Sequence, residues 1–245
     1  MEKFNIGNIY TNTQGYNVVV KEVLENNYFI VKFLENDCEL KVSVESLRKG
    51  TFKNPYVPSV VGIGYLGYGK YGTRINNKPK KSYITWKHMI ERAYDKNYHA
   101  LFPTYINVTV CSEWHNFQNF AEWFENNYIE GYHLDKDLMQ IGVGNKVYSP
   151  TTCLFVPSYL NSFILQLYSS NTSGSRGVTW DKPSSKWMVT IFDSDRKVNK
   201  NLGRYKDKDE AIEVYNRERS KIAEVLKNKI RELNYLPEEI IQLIK

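Results

Sequence analysis

Alternating apolar and polar positions dominate the first fifty residues. "YNVVVKEVL" (16–24), "YFIVKF" (28–33) and "CELKVSV" (38–44) are β-branched or aromatic runs parted by "ENN" and "LEND" turn signals. The pattern predicts a small β-meander, with an SH3-like barrel as its closed form. "KGTFKNPYVPSV" then brings two prolines and a glycine, which reads as a linker and sets a first module at 1–58. The next stretch, "VGIGYLGYGKYGT", has five glycines. It lacks the strand–turn–helix setting and the lysine-serine ending of a phosphate loop, so it predicts an extended, aromatic-rich connection.

The apolar period then changes from two to that of a helix. "SYITWKHMIERAYDK" places Trp86, Met89, Ile90 and Ala93 on one face. "SEWHNFQNFAEWFENNY" offers Ser112 as an N-cap and a stripe of Phe117, Phe120, Ala121 and Phe124, with Trp114 and Trp123 nearby. Aromatic stripes of this kind are core. "YHLDKDLMQIGVGNKVYSPTTCLFVPSYLN" (132–161) predicts strand, loop, strand and a helix starting near Pro157 or Ser158. Beyond the linker-like "SSNTSGS", three strands are expected at "SRGVTWD", "KWMVTIFD" and "NKNLGRYK". A long amphipathic helix follows from about Asp207 to Leu233, with Ala211, Tyr215, Ile222, Val225 and Leu226 inward. "PEEIIQLIK" predicts a short last helix with Pro237 in its first turn. The fold class expected is α+β: an N-terminal β-meander or small barrel (1–58), a middle region with helices (59–170) and a three-stranded sheet plus helix (171–245).

Composition narrows the classes. The 245 residues are 42% hydrophobic and 24% charged, as in a folded globular chain. No apolar run approaches a membrane span, and the start lacks a secretory apolar region, so a cytoplasmic location is expected. Three cysteines, Cys38, Cys111 and Cys153, an odd number with none in a C-x-x-C pair, suit a reducing compartment. Cys111 and His115 stand four apart, but two ligands alone do not make a zinc site.

The net charge of +6 admits a polyanionic partner, and its distribution says more. Lys70 to Arg92 is basic, with Lys80 and Lys81 at its centre as candidate nucleic-acid contacts; Arg196 to Lys208 is basic again, and Asp95 to Asp137 between them is acidic. Two basic stretches around an acidic middle suit a nucleic-acid enzyme whose carboxylates hold metal, or two solvated faces.

Two regions carry a resemblance. "RGVTW" (176–180), "KWMVTI" (186–191), "LGRY" (202–205) and "DEAIEVY" (209–215) resemble the three-stranded APETALA/ethylene-response-factor DNA-binding domain, also found in phage and mobile-element endonucleases. The resemblance implies a sheet lying in the major groove of double-stranded DNA. Strand alternation turns Trp187, Val189 and Ile191 toward the helix. Lys186, Met188, Thr190 and Phe192 then face outward, with Arg176, Thr179, Lys200 and Asn201 beside them. On that likeness Arg176 and Asn201 would read bases, and lysines and arginines, Lys186, Lys197, Lys200 and Arg204 among them, would anchor phosphates.

"WKHMIERAYD", "VCSEWHNFQNFAEWF", "LDKD" and "GNKVYSPTTCLFVPSYLN" resemble phage HNH endonucleases of the ββα-metal fold, over about Ser82 to Phe163. That implies one Mg²⁺ or Mn²⁺ ion, and no zinc, held by Asp135 and Asn161, with Asn145 shaping the loop. The general-base position falls on Lys136, a poor base at neutral pH because an ordinary lysine titrates near 10.4. His133, three residues before Lys136, lies on the face of Asp135 and substitutes only where the strand twists or ends. The expected activity is a metal-dependent DNA endonuclease or nickase acting in a bacterial host cell. The alternatives are a nuclease-dead DNA-binding protein and a phage anti-defence inhibitor, anti-CRISPR or anti-restriction, aimed at a host defence protein. A charged hairpin with no chemistry is the plain reading of the same residues.

Overall fold

The computed structural model describes residues 4–140, 142–164, 173–193, 196, 198–234, 236–242 and 244; at 161, 162 and 164 it describes the backbone alone. The chain is α+β and forms two compact units, 1–126 with 147–149, and 127–146 with 150–245.

In the first unit, β1 (Ile9–Thr11), β2 (Asn17–Leu24), β3 (Tyr28–Phe33) and β4 (Glu39–Ser43) make an antiparallel sheet in sequence order. The alternation seen in the sequence is the alternation buried: Val18, Val20, Phe29, Val31 and Phe33 point to one face and form its core with Leu47 and Phe52. The expected meander is present, and the barrel is not. β1 pairs only with β2 and β4 only with β3, so among the described residues the sheet stays open. Helix α1 (Val44–Lys49) starts on a Ser43 hydroxyl that accepts the Ser46 amide at 3.1 Å and ends on left-handed Gly50.

A short hairpin, β5 (Arg74–Ile75) and β6 (Lys78–Pro79), leads into α2 (Lys81–Tyr94). Trp86, Met89, Ile90 and Ala93 are its buried face, as the period predicts. Asp95 caps α3 (Lys96–Leu101) by accepting the Asn97 and Tyr98 amides. Then come β7 (Thr109–Val110) and α4 (Phe117–Asn127), whose four-residue stripe is buried. The glycine-rich connection runs over these helices: a Cβ at Gly64 would stand 2.9 Å from the Trp86 ring, so only glycine lets the backbone pass.

The second unit opens with β8 (Tyr132–Asp135); β9 (Val147–Tyr148) belongs to the first and pairs parallel with β7. β10 (Leu154–Pro157) runs antiparallel to β8, and α5 (Ser158–Ile164) follows at once. β11 (Val178–Asp181), β12 (Lys186–Asp193) and β13 (Val198–Tyr205) form an antiparallel sheet against α6 (Lys208–Leu233). Asp207 caps α6 through the Glu210 amide, and left-handed Asn234 ends it. The sheet, α6 and the α5 hairpin share one core, in which Leu138, Val156, Leu160 and Phe163 join Val178, Val189, Ile191, Tyr215 and Leu226. Val225, expected inward, is 55% exposed, because it falls outside the stripe set by Ala211, Tyr215, Ile222, Leu226 and Ile230. The short helix α7 (Glu238–Ile241) closes the unit. No helix among the described residues is long and apolar enough to cross a membrane.

Candidate nucleic-acid interface

Opposed residues of an antiparallel pair share a face, so the register of β11–β13 decides what the sheet presents away from α6. Thr179, Met188 and Arg204 form one row across the three strands. Thr190 opposite Asn201 forms the next, and Phe192 opposite Asn199 the third. Asp181 opposite Lys186 lies at the far end. Val189 and Ile191 are buried beneath, and Trp187 packs on the same core, as alternation requires.

One residue changes sides. A register shift between Val189 and Thr190 places a bulge at Leu202–Gly203, where Gly203 has φ of 122°. Asn201 therefore stays on the outer face, while Lys200 stands opposite Ile191 and shares the inner one. Lys200 ends there, 2.9 Å from the buried Asp193 carboxylate. The expectation that Lys200 and Asn201 both face outward fails on this geometry, because these consecutive residues lie on opposite faces of the strand.

The remaining predicted contacts are placed as follows. Arg204 is half exposed, and its Nε donates to Asp181 Oδ2 at 2.7 Å. The Ser184 hydroxyl, then Arg204, holds the Asp181 carboxyl below its ordinary value. Asn201 is exposed, and its Oδ1 accepts the Gly203 amide at 2.9 Å. Thr179 is exposed, while Lys186 and Thr190 are part-buried. Arg176 donates from Nη1 to the Phe163 carbonyl at 2.9 Å. Lys197 lies outside the described residues. Lys80 and Lys81 open α2 in the first unit. Asn199, Asp181 and Arg219 belong to this region and were not singled out from the sequence. Asn199 was within reach, because it is two residues from Asn201; the other two depend on partners distant in sequence.

The Asp135 hairpin has the order strand, strand, helix. Asp135 ends β8 and is buried, and its Oδ1 accepts the amides of Asp137 (3.0 Å) and Leu138 (2.8 Å), turning the chain into the 3₁₀ turn Leu138–Gln140. Burial pushes its carboxyl above the usual carboxylate range, against the pull of the Leu138 amide. Lys136 is also buried. Its Nζ reaches both Asp137 oxygens, at 2.9 and 3.0 Å, and Lys146 Nζ meets Asp137 Oδ1 from across the loop. Burial opposes ionisation of Asp137, but Lys146 and Lys136 outweigh it and lower its pKa. The Gln140 amide donates to the Lys136 carbonyl at 2.7 Å and closes the turn.

His133 is exposed on β8 opposite Val156, and Asn145 is exposed in the loop before β9. Asn161 lies in α5, but its side chain is outside the described residues. Magnesium or manganese needs about six oxygen ligands with negative charge to match. Here one oxygen of Asp135 already serves two amides, and the next carboxylate faces two ammonium groups. No group of three or more His, Cys, Asp or Glu suited to a metal occurs among the described residues.

His115 makes a 3.3 Å hydrogen bond with the Tyr94 hydroxyl and is part-buried, as a structural histidine would be. Compared with protein-family models, with curated proteins and with solved structures, the chain matches none.

Proposed function

We propose that the chain is a double-stranded DNA-binding protein that docks the outer face of β11–β13 into the major groove. The observation that carries this reading is the face itself. A three-stranded sheet, backed by α6, turns Thr179, Lys186, Thr190, Asn199, Asn201 and Arg204 outward, interleaved with Met188 and Phe192. Amide and hydroxyl side chains of this kind can hydrogen-bond base edges, Met188 and Phe192 offer apolar contact to thymine methyls, and Lys186 and Arg204 meet phosphates. Cutting is not part of the proposal, because Lys136 stands buried and ion-paired at the place expected of a base.

A second reading, metal-dependent phosphodiester hydrolysis at the hairpin, is supported by one observation: β8, β10 and α5 follow the order of a ββα-metal centre with Asp135 at the strand end. Supercoiled plasmid incubated with the protein and Mg²⁺ or Mn²⁺ separates the two. The DNA-binding reading expects retarded but uncut plasmid, with affinity unchanged by EDTA. Nicking that is lost in Asp135→Asn would establish the second reading.

A further inference from the structure

Two guanidiniums converge on one carbonyl in the second unit. Arg176 Nη1 donates to the Phe163 oxygen at 2.9 Å, and Arg219 Nη2 donates to the same oxygen at 3.0 Å. Arg219 also lies over the Phe163 ring, 4.0 Å from its centroid. Both side chains are part-buried, and neither forms an ion pair with a carboxylate among the described residues. Elsewhere in this unit the pattern differs, for Arg204, Arg231 and Lys200 each have an acid at 2.7–2.9 Å.

The local chain explains how they meet. Gly177, at φ 68°, lets the backbone press on α6: an added Cβ would stand 2.2 Å from the Tyr215 ring and 2.3 Å from the Thr190 carbonyl. Arg176, the residue before it, is thereby brought beside Arg219, one helical turn beyond Tyr215. Burial, opposed by Tyr215 and reinforced by the Arg176 charge, lowers the Arg219 pKa. A carbonyl carries only partial negative charge, and the contacts to Phe163 and, for Arg219, to Tyr215 leave donors of both guanidiniums unassigned among the described residues. Two cations side by side, with no carboxylate paired to either among the described residues, suit one tetrahedral oxyanion, which accepts from both forks.

We propose that Arg176 and Arg219 form a two-guanidinium seat for a backbone phosphate of bound duplex DNA, at the β11 edge of the sheet. The seat rests on the DNA-binding reading and changes the part given to Arg176, from reading a base to fixing the backbone. It also adds a contact from α6, an element without a residue on the outer face.

The test uses the whole chain, two unrelated duplexes of about twenty base pairs, and inorganic phosphate as a second probe. Arg219→Gln and Arg176→Gln should each weaken both duplexes alike, by about three- to tenfold, and reduce the salt slope by about one; Arg219→Lys should keep part of the loss. In the wild-type protein, the arginine Nε–Hε NMR signals of both residues should move as phosphate is added, which needs no variant to fold. Duplex affinity and salt slope unchanged in folded Arg219→Gln, while Arg204→Ala weakens binding, would overturn the seat and leave the DNA-binding reading intact. Should the wild type bind no duplex, that reading falls, and the phosphate titration decides the seat alone: unmoved arginine signals overturn it as well.

Discussion

Arg204 shows how one residue can lie on the proposed binding face and still be restrained. Its guanidinium is tied to Asp181 across the sheet, and a carboxylate beside a phosphate contact repels DNA. Asp181→Asn should therefore raise duplex affinity several-fold at fixed salt, whereas Arg204→Ala should lower it by roughly tenfold and reduce the salt slope by about one. Fluorescence anisotropy across a salt series measures both. Asp137 and Asp135 give opposite pH signatures. Although burial opposes it, Lys146 and Lys136 leave Asp137 lowered in the folded state. It contributes stability above its unfolded value, near 3.9, and that contribution is lost as pH falls through the lower folded value. Asp135 is raised by burial, so it costs stability at neutral pH, and the cost is relieved as pH falls through its raised value toward the unfolded one. Thermal midpoints from pH 2 to 7 should show Asp137→Asn less stable than wild type at pH 7, with the gap closing below pH 4. For Asp135→Asn, whose amide oxygen can still accept the two backbone amides, any gain should be largest at pH 7.

Elements were legible where the chain's own period sets them. Trp86, Met89, Ile90 and Ala93 are buried on α2, and Val189 and Ile191 are buried on β12, because side-chain direction follows the backbone repeat. What depends on a partner distant in sequence was not legible. The bulge that turns Lys200 inward comes from the pairing of β13 with β12, with only "LG" as a hint. Lys146 reaches Asp137 across a loop, so the neutralised hairpin could not be read from "LDKD" alone. Arg176 looks like a surface cation in the sequence, and only the approach of Gly177 to Tyr215 brings it to Arg219. This close approach gives an element-scale prediction. Gly177→Ala forces a side chain into the left-handed region and into the Tyr215 ring, and should cost at least about 1–3 kcal/mol in urea unfolding. Leu226→Ala, in the core between α6 and the sheet, should cost about 2–5 kcal/mol.

At the scale of the molecule, the second unit joins a ββα hairpin and a three-stranded sheet around one apolar core. The hairpin's carboxylates are spent on backbone amides and lysines, while the sheet's outer face exposes Thr179, Asn199 and Asn201. On the proposed reading, that division puts DNA recognition on β11–β13. The most direct measurement is the affinity of the whole chain for duplex DNA between 50 and 200 mM salt, with and without Asn201→Ala and Thr190→Ala on the sheet. The logarithm of the binding constant should fall linearly with the logarithm of salt, and Asn201→Ala should lose about 1 kcal/mol or more on a preferred sequence. Absence of binding at 50 mM salt, or binding indifferent to every outer-face substitution, would contradict the proposed reading.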